Sequence, residues 1–204
     1  MNYLFIDSTY DLTLGILGDD LNWLSFERHV GQKASMVIQA RSLDLIKRNK
    51  QKAQDLSGII TVSGPGFYTG LRLAEGVSDV FQFFGVKQYS LYSYEIPFWC
   101  GHNQGAWFTK AYRGEYFIYR WNETSSSQEL ITANEIKDKL GCEQFFVHSD
   151  VSLDSLSQTL LDNPIHSSDL LRQYPARIFK KVLADQRREP FYFRPPEDEF
   201  KVNP

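Results

Sequence analysis

The stretch Ser-Gly-Pro-Gly-Phe-Tyr-Thr-Gly-Leu-Arg at residues 63–72 stands between an apolar run and a helical pattern. Residues 58–62 are rich in β-branched side chains and predict a buried strand. Residues from about 71 to 84 predict a helix. Glycines in the loop permit positive φ angles and close backbone approach, and the helix start offers free N–H groups to an anion. Strand, tight loop and helix in this order predict an α/β unit.

The glycine segment has two interpretations, and the sequence leaves both open. It lacks the Gly-Lys-Ser/Thr ending of a P-loop, so it is either a turn that packs helix against strand or part of a phosphate site. Asp7, Ser8 and Thr9 end the first apolar run, where a carboxylate and hydroxyls would surround a phosphate or Mg²⁺, or simply close a turn. The candidate nucleotide-binding residues are Asp7, Ser8, Thr9, Gly64, Gly66, Thr69 and Gly70.

The remaining pattern before residue 90 predicts a strand meander followed by a helix. Strands are expected at residues 3–7, at 12–16 and through 23–26, because short apolar or alternating runs recur there. The first helix is expected from Lys33 to about Lys50.

The second half predicts a hairpin followed by helices. Runs 106–112 and 115–121 flank Arg113-Gly114, which is typical hairpin turn chemistry. Thr132 and Glu135 match a capping box, so a helix is expected from Ala133 to near Gly141. The other expected elements are a strand at 145–148, helices at 153–161 and about 169–186, and a proline-rich tail from residue 190.

Composition restricts the class of protein. The 204 residues carry 42% hydrophobic and 23% charged side chains, which is ordinary for a globular chain. No signal peptide or membrane-length apolar run is recognisable, and Cys100 and Cys142 form no metal-type pair, so we expect a cytoplasmic protein with reduced thiols and no membrane contact. The net charge of −3 argues against a dedicated nucleic-acid binder.

No coherent catalytic set is visible in the sequence. The four histidines are scattered without ligand spacing, and there is no Gly-x-Ser-x-Gly elbow. We therefore expect no catalytic residues, no metal ligands and no cofactors. The basic positions Arg177, Lys180, Lys181, Arg187 and Arg188 are either an RNA patch or the solvated face of a helix.

The first helix is apolar on two sides. At about 100° per residue, Ala34, Ile38 and Leu45 fall on one side, and Met36, Ala40 and Leu43 fall nearly opposite. One core cannot cover both sides, so the helix is either enclosed within a single fold or packed between a core and a partner.

Four motifs together resemble the TsaB (YeaZ) family in family order over nearly the whole chain. The most specific is residues 64–72, which is similar to the family's Gly-Pro-Gly-Ser-Phe-Thr-Gly-Leu-Arg. The supporting motifs are Leu-Phe-Ile-Asp-Ser-Thr at 4–9, Ala-Tyr-Arg-Gly-Glu-Tyr at 111–116 and Pro-Phe-Tyr-Phe-Arg at 190–194. Phe67 and Tyr68 replace the usual Ser-Phe, Lys110 replaces a frequent Asp, and Lys33-Ala34 replaces a common His-Ser, so a divergent member is implied. The bulkier loop and the lost Asp argue against nucleotide binding.

The resemblance implies an α/β protein of the actin-like ATPase/sugar-kinase, ribonuclease H-like, fold with two lobes of mixed sheets flanked by helices. It places an amino-terminal lobe at 1–98 and a reduced carboxy-terminal lobe at 99–204, whose tail returns to the first lobe. It implies a non-catalytic subunit that pairs with the catalytic TsaD-type subunit and the TsaE-type ATPase to form N6-threonylcarbamoyladenosine on tRNA. TsaD-like proteins carry a His-x-x-x-His metal motif on an early helix, and residues 33–50 contain no histidine.

The partners implied are therefore TsaD-type and TsaE-type subunits, tRNA indirectly through the complex, and a possible second copy of the chain in isolation. The expected partner-binding residues lie on the helices of the first lobe: Ala34, Met36, Ile38, Ala40, Leu43, Leu45, Leu73 and Val77. Two rival functions stay open, a small ATPase or kinase of the same fold that uses Asp7 and the loop at 64–70, and a peptidase, for which the sequence supplies no site.

Overall fold

The computed structural model describes residues 1–111, 114–139, 141, 144–149, 154, 161, 163–185 and 187–193. Within these residues the chain forms two sheets flanked by helices. No helix in the described part of the chain combines the length and apolar character needed to span a bilayer.

The first sheet has the strand order β3-β2-β1-β4-β5 in the described residues. β1, β4 and β5 run parallel, and β2 and β3 extend the sheet antiparallel to β1. Its strands are β1 (Tyr3–Asp7), β2 (Leu12–Leu17), β3 (Trp23–His29), β4 (Gly58–Val62) and β5 (Lys87–Leu91).

The central strands β1, β2 and β4 are buried on both faces, which explains why they are apolar along nearly their whole length. Leu4 and Ile6 point to one face, where they pack with α1 (Ala34–Arg48) and α2 (Tyr68–Phe83). Phe5 points to the other face and joins a second core. A short 3₁₀ turn at Ala53–Asp55 leads from α1 into β4.

The second sheet has the order β10-β9-β6-β7-β8 in the described residues. Trp107 on β6 points toward the core that also contains Phe5, whereas its neighbour Phe108 points to a smaller third core. The two sheets therefore share one apolar cluster. The strands are β6 (Gly105–Lys110), β7 (Glu115–Trp121), β8 (Ser126–Thr132), β9 (Phe145–Val147) and β10 (Ile165–His166).

The helices associated with the second half are short. Ile178 and Phe179, on the helix at Pro175–Ala184, lie in the shared core. Residues 187–193 then run back over the first sheet, where the Phe191 N–H donates to the Ser63 carbonyl over 2.8 Å. The helices are α3 (Glu95–Trp99), α4 (Ile136–Lys139), α5 (Ser167–Gln173) and α6 (Pro175–Ala184).

Several sequence predictions need correction. The helix expected at about 169–186 is two helices, α5 and α6, because Pro175 lacks an N–H and restricts the residue before it. The helix expected from Ala133 begins at Ile136, although the Glu135 carboxylate accepts from the Thr132 N–H over 2.8 Å as the capping box predicts. α2 begins at Tyr68, three residues before the predicted start.

Other predictions missed elements or lie outside the described structure. The sequence did not predict β5, α3 or β8, and β6 ends at Lys110 rather than at residue 112. The helix predicted at 153–161 lies outside the described residues apart from positions 154 and 161. The predicted division at residue 98 falls within α3, and the lobe boundaries stay a prediction.

Candidate functional site

The glycine loop joins the end of β4 to the start of α2, and its first glycine faces the returning tail. Gly64 has a φ of +114°, a left-handed conformation that favours glycine. A Cβ at this position would stand 2.8 Å from the Phe191 carbonyl oxygen. The Gly64 carbonyl also accepts from the Ser93 N–H over 2.8 Å. The chain's own contacts therefore account for this glycine.

The other two loop glycines pack against residues 8 and 9. A Cβ on Gly66 would lie 2.5 Å from the Cβ of Thr9, and a Cβ on Gly70 would lie 1.8 Å from the Ser8 carbonyl oxygen. The Ser8 hydroxyl donates to the Gly70 carbonyl over 2.7 Å, and the Phe67 N–H donates to the Thr9 carbonyl over 3.0 Å. The segment thus packs the helix tightly on the end of β1, as the turn interpretation proposed.

Asp7 lies at the end of β1 with only 4% of its surface exposed. Its Oδ1 accepts from the Thr9 N–H over 2.9 Å and from the Thr9 hydroxyl over 2.6 Å. Its Oδ2 lies 2.7 Å from Nε2 of His148, which follows β9 of the second sheet and is also buried. Internal donors therefore contact both carboxylate oxygens.

These contacts decide the charge of Asp7. Burial alone would raise the pKa of the carboxyl, but the neighbouring imidazole of His148 and the hydrogen bonds from His148 and Thr9 outweigh it, so the pKa of Asp7 lies below its ordinary value. Asp7 is therefore an ionised, buried carboxylate. His148 was missed by sequence reasoning, because nothing in the local pattern around it indicates a partner 141 positions earlier.

Two aromatic residues extend from His148 toward the glycine loop. The Tyr10 ring lies 4.9 Å from the His148 ring and 5.2 Å from the Phe67 ring, centroid to centroid. The Tyr10 hydroxyl is hydrogen-bonded to the Thr109 hydroxyl on β6, and burial raises the pKa of Tyr10 above its ordinary value. Tyr10 therefore bridges the end of β1 and the second sheet above Asp7.

The space left beside the glycine loop is small. A cleft of about 240 Å³ lies between the starts of α1 and α2, below the roughly 300–1,000 Å³ typical of ligand pockets. Thr69 lines the cleft and is exposed, whereas Gly64, Gly66 and Gly70 are buried. In the described residues, no group of three or more His, Cys, Asp and Glu side chains is arranged to hold a metal ion.

The predicted partner-binding residues separate into two sets on α1. Ile38 and Leu45 are 2% and 0% exposed and belong to the core beneath the helix, and Ala34 packs partly against that core. Met36 is 79% exposed, and Ala40 and Leu43 also face solvent. Burial within the chain therefore corrects the prediction for Ile38 and Leu45, which offer no surface to a partner.

On α2 the predicted residues lie at or near the core. Val77 is buried, so it is also removed from the candidate surface, and Leu73 packs partly against the core. Val80 and Phe83, which are 54% and 87% exposed, were not among the predicted residues. They continue an exposed stripe from Gly76 at spacings of four and seven residues, a helical periodicity that was available in the sequence.

Comparison with solved structures shows the fold. No protein-family model and no curated protein matches the sequence. YeaZ from Pseudomonas aeruginosa is structurally similar with a TM-score of 0.61 and 16% identity, over 89% of this chain and 95% of that one. An uncharacterized protein with similarity to peptidase YeaZ from P. aeruginosa has a TM-score of 0.61 and 18% identity, over 95% and 99% of the two chains.

A third similar structure is the ethanolamine utilization protein EutJ from Carboxydothermus hydrogenoformans. Its TM-score is 0.50 and its identity is 14%, over 87% of this chain and 89% of that one. These similarities confirm the predicted fold class, which is the actin-like ATPase fold with two mixed sheets flanked by helices. The protein thus has, over most of its length, the fold of the YeaZ structures.

Proposed function

We propose that this chain is a TsaB-type accessory subunit, which pairs with a TsaD-type catalytic subunit and a TsaE-type ATPase in the N6-threonylcarbamoyladenosine modification of tRNA. The proposal rests on the Asp7 carboxylate, whose two oxygens contact groups of the chain itself, combined with an apolar helix face directed to solvent. The YeaZ-like fold and the sequence motifs at 4–9, 64–72 and 111–116 support the same family.

The arrangement at Asp7 favours a non-catalytic role. Both carboxylate oxygens contact His148 or Thr9, and the Tyr10 ring packs against the His148 ring, so a Mg²⁺ ion would have to displace internal partners to reach the carboxylate. Phe67 projects its ring at the cleft, where a small residue would leave room for phosphates. These contacts support a subunit that assists its partner without carrying out transfer itself.

The helix layer supplies the proposed partner surface. α1 and α2 pack side by side on the same face of the first sheet, so their solvent sides both point away from that sheet. Exposed apolar side chains on both helices mark an interaction site when they form a contiguous patch. The proposed surface, named here the helix face, consists of Met36, Ala40, Leu43, Gly76, Val80 and Phe83.

The helix face lies within residues 1–98, the proposed amino-terminal lobe, and in isolation it would also serve a second copy of the chain. The tRNA would be reached through the complex, in agreement with the net charge of −3. The proposed location is the cytoplasm, where tRNA is modified.

Reconstitution tests the proposal. The TsaD-type and TsaE-type subunits of the same organism are incubated with ATP, the threonylcarbamoyl adenylate and tRNA, with or without this chain. We expect modification only when the chain is added to its partners, and none with the chain alone. Modification of tRNA by the isolated chain, or full activity of the partners without it, would contradict the accessory role.

A small ATPase or kinase is the second candidate, favoured by Asp7 at a strand end beside a helix start. The first turn of α2 has no acidic residue and no side-chain cap, so it is open to an anion. Calorimetric titration of the full chain with ATP and Mg²⁺ separates the two functions. We expect the dissociation constant for ATP to be millimolar or weaker. A low-micromolar dissociation constant, with binding abolished by Asp7→Ala, would favour the ATPase.

A further inference from the structure

The buried pair of Asp7 and His148 joins the two sheets of the fold. Asp7 is the last residue of β1, and His148 directly follows β9. The two side chains are about 5% exposed, and their Oδ2 and Nε2 atoms are 2.7 Å apart. The other ring nitrogen of His148 lies 3.1 Å from the Ser149 hydroxyl, which fixes the orientation of the ring.

A buried hydrogen bond between a carboxylate and an imidazole joins its two elements at a place where neither group is exposed to solvent. Removing the imidazole leaves the buried Asp7 carboxylate without one of its partners, which is far more costly than the loss of a contact at the surface. The Tyr10–Thr109 hydrogen bond crosses between the same two sheets directly beside the pair. The contact between the sheets at this edge is therefore polar, whereas their main contact is the apolar cluster around Phe5 and Trp107.

The pair is also connected to the start of α2 through hydrogen bonds of Thr9 and of its neighbour Ser8. Asp7 Oδ1 accepts from the Thr9 N–H, and the Thr9 carbonyl accepts from the Phe67 N–H. The Ser8 hydroxyl then donates to the Gly70 carbonyl in the first turn of α2. Any movement of Asp7 would thus be transmitted to the glycine loop and to that turn.

We propose that Asp7 and His148 form a latch, which fixes the second sheet against the end of β1 and thereby sets the position of the glycine loop and the first turn of α2. When the latch is broken, residues 7–10, 66–71 and 147–149 open together as one local unit. The shared apolar cluster keeps the rest of the fold closed. This inference concerns the chain by itself and does not depend on any partner.

Hydrogen exchange of the full chain tests the latch. We expect His148→Ala to accelerate exchange of the Thr9, Phe67 and Leu71 amides by at least roughly tenfold, because an unpaired buried carboxylate favours the open state. The amides of β7 and α6, which lie outside the unit, should exchange as in the wild type. His166→Ala is the matched control, since His166 pairs at 3.5 Å with the largely exposed Asp169, and it should leave exchange of residues 66–71 unchanged.

Asp7→Asn removes the carboxylate that contacts His148 and keeps the Oδ1 acceptor for Thr9. It should accelerate exchange at 147–149 and at 66–71 together, and it decides the question if His148→Ala does not fold. The proposal is overturned if either variant leaves residues 66–71 protected as in the wild type. It is also overturned if exchange rises equally in every strand, because that result would indicate general destabilisation without a local unit.

Discussion

The two sides of α1 should respond oppositely to a single negative charge. Ile38 is 2% exposed, so Ile38→Glu gives up about 1.5–3 kcal/mol of apolar burial and places an unpaired carboxylate in the core at a further cost of several kcal/mol. That sum is comparable with the ~5–15 kcal/mol that stabilises a domain. We expect Ile38→Glu to melt at least about 10 °C early or not to fold at all.

Met36→Glu should leave folding intact and remove association. Met36 is 79% exposed and is the third residue of α1, whose first turn has no acidic residue. A carboxylate there remains hydrated and gains about 0.3–1 kcal/mol from the helix dipole, so the melting temperature should stay unchanged or rise slightly. When a partner covers this position, the same charge would cost roughly 2–5 kcal/mol of binding free energy. That cost weakens binding at least about 30-fold.

Thermal melting and calorimetric titration with the TsaD-type subunit measure the two effects. Gln128→Glu is the charge-matched control, because it adds one negative charge at an exposed position of β8 in the other sheet. It should neither lower the melting temperature nor weaken binding. Normal binding by Met36→Glu would refute the helix face as the interface, and normal melting by Ile38→Glu would refute the placement of that side chain in the core.

Two further predictions follow from the glycine loop and from Asp7. Gly70→Ala should destabilise the protein severely, because its Cβ would meet the Ser8 carbonyl at 1.8 Å, whereas Gly76→Ala, with no atom within 4 Å, should stabilise it by about 0.5–1 kcal/mol in denaturant unfolding. The pKa of Asp7 is lower in the folded state than in the unfolded state. The stabilisation that its carboxylate gives to the folded state is therefore complete above the unfolded pKa of about 3.9, and it is lost as the pH falls through the folded pKa. The stability difference between wild type and Asp7→Asn should therefore shrink below about pH 4; a difference that grows on acidification would contradict this assignment.

Local sequence patterns were sufficient to predict an element when the residues of that element alone indicate its structure. β4 was predicted with its observed bounds, Gly58–Val62, because β-branched residues buried on both faces form an uninterrupted apolar run. The glycine segment was placed correctly between β4 and α2. β5 and β8 were missed because each lies at a sheet edge, where polar residues face solvent and the apolar pattern is weak.

The sequence by itself determined the α/β order, the strand–loop–helix unit and the presence of two apolar sides on α1, since all three depend on residues that are close in the chain. Only the tertiary structure decided which side of α1 the core covers, because helical periodicity is the same for a core and for a partner. The tertiary structure alone also showed which groups contact the Asp7 carboxylate. The loop glycines face Ser8, Thr9 and Phe191, and the Asp7 carboxylate faces His148, so these contacts join parts of the chain that are distant in sequence and that local patterns cannot connect.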